Sequence, residues 1–114
     1  MKVFVSYTLR DGFLNTHDLK LIEKALISWC DPYIDLLHNQ SRNPQKQVIS
    51  VLEQSSMLLA CLTPGLFSSR WVQLELKLAI INKIPIVFLD TDTFLRNAIL
   101  NFHFENYLVC SRAY

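Results

Sequence analysis

Glycine is the scarcest punctuation in this chain: only Gly12 and Gly65 occur. Two isolated glycines exclude the three-glycine dinucleotide fingerprint and the phosphate-cradling P-loop, which need clustered glycines for close backbone approach. The three cysteines (Cys30, Cys61, Cys110) are odd in number and lack metal or redox spacing. Cys61 and Cys110 lie in apolar runs, so they read as buried free thiols in a reducing compartment. The histidines (His17, His38, His103) are far apart, with no i,i+4 pair and no neighbouring cysteine, which argues against a metal site. No serine stands in a Gly-x-Ser-x-Gly turn, the usual setting of a Ser-His-Asp nucleophile. Charge of one sign is also lacking. The formal net charge is +1 and the basic residues are scattered, giving no electrostatic ground for a nucleic-acid or anionic-membrane partner. No apolar run approaches the roughly 20 residues that span a bilayer. Residues 1–6 lead directly into a strand-like run without a signal-peptide pattern. The expectation is a cytoplasmic protein.

What the chain has is apolar residues. At 51% hydrophobic and 18% charged, its 114 residues suit one domain, 1–114, with one substantial core. Residues 2–7 are β-branched and aromatic, a buried strand. A helix is expected from Asn15 or Thr16, with Leu19, Ile22, Leu26 and Trp29 on one face, ended by Asp31-Pro32. Residues 33–37 read as a second strand and 38–43 as a polar loop. Asn43-Pro44 then opens a helix over 45–55 that carries Val48, Val51 and Leu52. Residues 57–62 form another apolar strand, closed by Thr63-Pro64-Gly65. A helix begins at Ser68-Ser69 and ends near Asn82-Lys83, its many apolar residues predicting burial on more than one side. A strand over 84–89, a short helix over 93–100 and a last strand over 107–110 complete the pattern. Alternating helices and continuously apolar strands predict an α/β fold: a flavodoxin-like, doubly wound parallel sheet of about five strands with helices on both faces.

In such sheets ligands bind beyond the carboxyl ends of the strands. Those ends carry Ser6-Tyr7-Thr8, Leu37-His38, Thr63-Pro64 and Asp90, and the helix opening at Ser68 starts on the same edge. Within that helix Trp71 and Glu75 are four apart, so they share a face. A carboxylate beside an indole suits cleavage of an N-glycosidic bond to a base that leaves without a proton. The nicotinamide of NAD is such a base, because the cationic pyridinium departs neutral. The ribose left behind develops oxocarbenium charge, which a buried carboxylate stabilises. The residues alone also allow a plainer reading, with Trp71 in the core and Glu75 solvated at the rim.

Four segments in order resemble a TIR (Toll/interleukin-1 receptor) domain over essentially the whole chain. Val3-Phe4-Val5-Ser6-Tyr7 with Asp11 resembles the first family box, and Tyr33-Ile34-Asp35 the second strand with its terminal aspartate. Leu62-Thr63-Pro64-Gly65 resembles the segment after the third strand. Ser69-Arg70-Trp71-Val72-Gln73-Leu74-Glu75-Leu76 resembles the Ser-x-Trp-Cys-x-x-Glu-Leu helix, with Val72 in place of the frequent cysteine. The resemblance implies NAD as substrate with no separate cofactor, and Glu75 as catalytic residue. It implies a pocket formed by Ser6, Tyr7, Thr8 and Trp71, with Asp35 either contacting substrate or capping its loop. The loop 38–43, which covers the site in the family, lacks glycine and acidic residues here, and its Arg42 is a further candidate for substrate binding. The likeness is greatest to stand-alone bacterial anti-phage (Thoeris-type) members. It implies a homo-oligomer built by TIR–TIR contacts and an ADP-ribose-derived signal, cyclic or conjugated, read by a separate effector protein. Two other readings stand beside it: a non-catalytic TIR interaction module, and a nucleoside deoxyribosyltransferase-like enzyme with the same fold type.

Overall fold

A computed structural model describes residues 1–39, 42–97 and 108–110. The elements in chain order are β1 (Lys2–Ser6), α1 (Thr16–Leu26), β2 (Asp31–Ile34), α2 (Asp35–His38), α3 (Pro44–Glu53) and β3 (Met57–Leu62). A short 3-10 turn (Leu66–Ser68), α4 (Arg70–Ile81), β4 (Ile86–Asp90), α5 (Thr91–Asn97) and β5 (Leu108–Cys110) follow. The sheet order is β2-β1-β3-β4-β5. The first four strands pair parallel, and β5 pairs antiparallel to β4. The parallel sheet therefore has four strands, and the fifth closes one edge in the opposite direction. An apolar run specifies burial but not strand direction, so the all-parallel expectation stops at β4.

Helices flank both faces. Val3, Val5, Leu59 and Leu89 pack with Leu19, Ile22 and Leu26 of α1 and Phe94 of α5. On the other face, Phe4, Leu58, Ala60 and Ile86 pack with Val48 and Leu52 of α3 and Val72 and Ala79 of α4. Alternate residues of β1 thus serve opposite layers, as the two-residue strand period requires. The register sets Val5 beside Leu59 and Ile34, Ser6 beside Ala60 and Leu62 beside Asp90, so the carboxyl ends of these strands share one edge.

Local chemistry starts the helices. Asn15 Oδ1 accepts the Asp18 N–H at 2.9 Å while Asp18 Oδ2 accepts the Asn15 N–H at 3.1 Å, a reciprocal capping box. Asn43 caps α3, with Pro44 in its first turn, and Ser69 Oγ caps α4 by accepting the Val72 N–H.

Several boundaries differ from expectation. The strand β2 begins at Asp31, crosses Pro32 and ends at Ile34. Pro32 is tolerated because β2 is an edge strand and the missing N–H faces outward. Asp35 to Leu37 are helical, belonging to α2. The helix α1 stops at Leu26, which leaves Trp29 in a turn and 42% exposed. Burial of α4 is one-sided: Leu74, Ile80 and Ile81 are exposed, because the helix packs on the core along the Val72–Glu75–Ala79 stripe, flanked by partly buried Trp71, Leu76 and Leu78. The strand expected over 84–89 is β4, starting at Ile86, and the helix expected over 93–100 is α5, starting at Thr91. The end of that expected helix, 98–100, lies outside the described residues, as does the start of the last strand at Tyr107. No helix among the described residues is long and apolar enough to cross a membrane.

Candidate active site

Glu75 is the one carboxylate among the described residues that is almost fully buried, at 4% exposure. It projects from the second turn of α4 toward the end of β1, where Ser6 Oγ donates a 2.8 Å hydrogen bond to Glu75 Oε1. The placement has a local cause. Val72 and Ala79 anchor α4 on the sheet, and Glu75 lies between them on the same stripe, so it must enter the core. Burial raises the Glu75 carboxyl to about 7. The Ser6 hydrogen bond opposes that rise, the nearby Asp35 charge adds to it, and a hydrogen bond from the Trp71 indole opposes it. A buried carboxyl poised near neutrality at the strand ends is a functional-site candidate.

The expected site residues are largely brought together. Ser6 is fully buried and donates to Glu75, and half-buried Trp71 stands one turn away on α4, where its indole N–H favours the ionised carboxylate. The Tyr7 hydroxyl accepts the Leu36 N–H at 2.9 Å. Burial pushes Tyr7 up to about 12, partly offset by that bond, so it is a neutral phenol at physiological pH. Asp35 is half-buried and acts on Glu75 through its charge. Its Oδ1 accepts from the Tyr33 hydroxyl at 3.1 Å and from Asn39 Nδ2 at 2.7 Å. Asp35 thus organises its own segment and reaches Glu75 only by charge.

Thr8 is buried and lines a neighbouring cavity of about 210 Å³ with Arg10, Asp11, Gly65, Ser68 and Ser69. That cavity opens at the amino end of α4, where free backbone N–H groups favour anionic groups. A larger groove, about 420 Å³, runs along the outer edge of β2, and Glu75 lines neither of these two cavities. Arg42 is exposed in the bend before α3 and is not drawn to Glu75 among the described residues. Residues 40 and 41 of its loop lie outside them.

Asp11 does more than its place in a turn suggests. Its Oδ2 accepts the Gly65 N–H at 2.8 Å and its Oδ1 the Phe13 N–H at 3.1 Å, tying the loop after β1 to the loop after β3. Burial opposes ionisation, but these backbone donors and the Thr63 side chain together hold the Asp11 carboxyl below the usual carboxylate range. A Cβ on Gly65 would lie 2.8 Å from Asp11 Cβ, so the close approach requires glycine. Glu23 and His38 also meet, joining α1 to α2. The sequence signal for Asp11–Gly65 was the pairing of a loop aspartate with one of only two glycines. Nothing local signalled Glu23–His38.

Fold and site together define a doubly wound α/β protein with, among the described residues, one buried carboxyl raised toward neutrality at the carboxyl edge of its sheet. The chain matches no protein-family model and no curated protein.

Proposed function

We propose that this chain is a TIR-type enzyme that cleaves the nicotinamide–ribose bond of NAD, with Glu75 as its catalytic residue. The observation that carries the reading is the Glu75 carboxylate, buried at the strand ends and held by Ser6 at 2.8 Å with Trp71 beside it. In the reaction the C1′–N bond breaks and its electron pair stays on nicotinamide, which leaves neutral. Ionised Glu75 stabilises the oxocarbenium ion at C1′. Water or a hydroxyl then attacks C1′, and Glu75 takes the proton released. Attack by water gives ADP-ribose, and attack from within the nucleotide or by another acceptor gives a cyclic or conjugated product, the immune signal for a separate effector. The cavity at the start of α4 supports this reading, since its N–H groups and Arg10 suit the phosphates. Its 210 Å³ falls short of the roughly 300–1,000 Å³ usual for small-molecule sites. A second copy of the chain completes the pocket.

A specific observation favours a second reading, an interaction module. Phe67, Leu74, Ile80 and Ile81 expose large apolar surfaces on and beside α4, and such residues in numbers mark contact surfaces. One experiment separates the two: incubation with NAD at high protein concentration, following nicotinamide and product mass, beside Glu75→Ala. Nicotinamide from the unaltered protein alone supports the enzyme. Assembly with no turnover supports the module.

A further inference from the structure

The helix α2 is one turn long, and its N-cap position, Ile34, offers no side-chain cap. Four residues do not hold a helix by themselves, because nucleation is unfavourable and too few hydrogen bonds follow. Its geometry must be imposed from outside. At one end, Leu36 N–H is bound to the Tyr7 hydroxyl, and Asp35 is bound by Tyr33 and Asn39. At the other end stands His38. Its Nδ1 accepts the Ile34 N–H at 2.8 Å, and its Nε2 meets Glu23 Oε2 of α1. Accepting at Nδ1 puts the imidazole proton on Nε2, so the ring donates to Glu23 and bridges β2 to α1. The Ile34 N–H belongs to the outer side of an edge strand, since Asp31 N–H already points to β1 through Met1 O. His38 therefore satisfies a donor that the sheet leaves open.

We propose, resting on the function given above, that His38 is a positioning residue: latched between Ile34 and Glu23, it fixes α2 and through it holds Tyr7 and Asp35 against the Glu75 site. The link runs through the chain itself. His38 closes α2, α2 carries Leu36 N–H to the Tyr7 hydroxyl, and Tyr7 directly follows Ser6, whose Oγ donates to Glu75; Asp35, held in its own network, acts on Glu75 by charge. The latch is reachable from solvent. His38 and Glu23 are 28% and 29% exposed and line the groove along β2.

The test compares His38→Leu, Glu23→Leu and Glu23→Gln with the unaltered protein. Two signals are read by NMR: exchange protection of the Leu36 amide, and the titration of the Glu75 carboxyl, identified by its loss in Glu75→Gln. Both leucine variants should lower Leu36 protection by about tenfold or more. They should also move the Glu75 midpoint down by about half a pH unit or more, because Asp35 recedes and water enters. Glu23→Gln retains an acceptor for Nε2–H and should stay near the unaltered protein on both signals. Glu23 lies on a helix surface that accepts leucine, so the Glu23→Leu comparison stands even if His38→Leu fails to fold. Unchanged signals in Glu23→Leu overturn the proposal. So does a fall in Leu36 protection with an unmoved Glu75 midpoint, since the latch then reaches no further than α2. Neither signal needs turnover, so an absence of NAD cleavage counts against the proposed function alone.

Discussion

Glu75 is held in a place that opposes its charge. Its ordinary value is 4.5, and in the fold it is raised to about 7, chiefly by burial. The folded state therefore binds this proton more tightly than the unfolded chain does. Its effect on stability is most favourable below about pH 4.5, where both states are protonated, and is lost as pH rises to about 7. Above that, the deficit reaches about 3 kcal/mol. Glu75→Gln keeps a group for Ser6 and removes the charge, so it should raise the melting temperature near pH 8, with the gain vanishing toward pH 4.5. Thermal melts across that range measure it, and a gain independent of pH would contradict the assignment. Ser6→Ala acts in the other direction. Removing the 2.8 Å donor leaves the carboxylate with less support and raises Glu75 further, by roughly one pH unit for a hydrogen bond to a charged group. Carboxyl-carbon NMR titration reads that shift directly.

At the scale of elements, the sequence showed clearly what local chemistry decides. Caps at Asn15, Asn43 and Ser69, and apolar runs in β1 and β3, each act through near neighbours. The Trp71–Glu75 pair was legible because helical spacing alone puts both on one face. What escaped depends on contacts distant in sequence. Asp35-Leu36-Leu37 looks like a strand until Tyr7, 29 residues before Leu36, takes the Leu36 N–H and turns the chain into α2. Pro32 looks like a terminator until the strand carrying it proves to be an edge. The apolar content of α4 overstated its burial, because composition does not say how many neighbours a helix has. The Asp11–Gly65 tie shows the same dependence, at 54 residues' separation. Gly65→Ala should break it and destabilise the fold by about 1–3 kcal/mol, as overpacking does, measured by urea denaturation. An Asp11 side chain that yields without loss of stability would refute that. Asn15→Ala should remove one arm of the capping box at a cost of about 1 kcal/mol.

The whole molecule is a four-stranded parallel sheet with an antiparallel fifth strand. Helices cover both faces, and the chemistry gathers at the carboxyl edge. Its charges are balanced and its apolar residues are not all internal: Phe67, Leu74, Ile80 and Ile81 stay exposed. The small cavity at the start of α4 and this surface together predict dependence on assembly. Nicotinamide release per molecule should rise with protein concentration, with sedimentation showing the same transition. A constant specific activity would place the complete site in one copy. The central claim is that ionised Glu75 does the chemistry. Its most direct test is the rate of nicotinamide release from NAD by the assembled protein, measured from about pH 5 to about pH 9 beside Glu75→Gln. The account predicts a rate that climbs about tenfold per pH unit and levels near pH 7, where Glu75 ionises, with no release from the variant. Release that persists in Glu75→Gln, or a rate that is flat across neutrality, would contradict it.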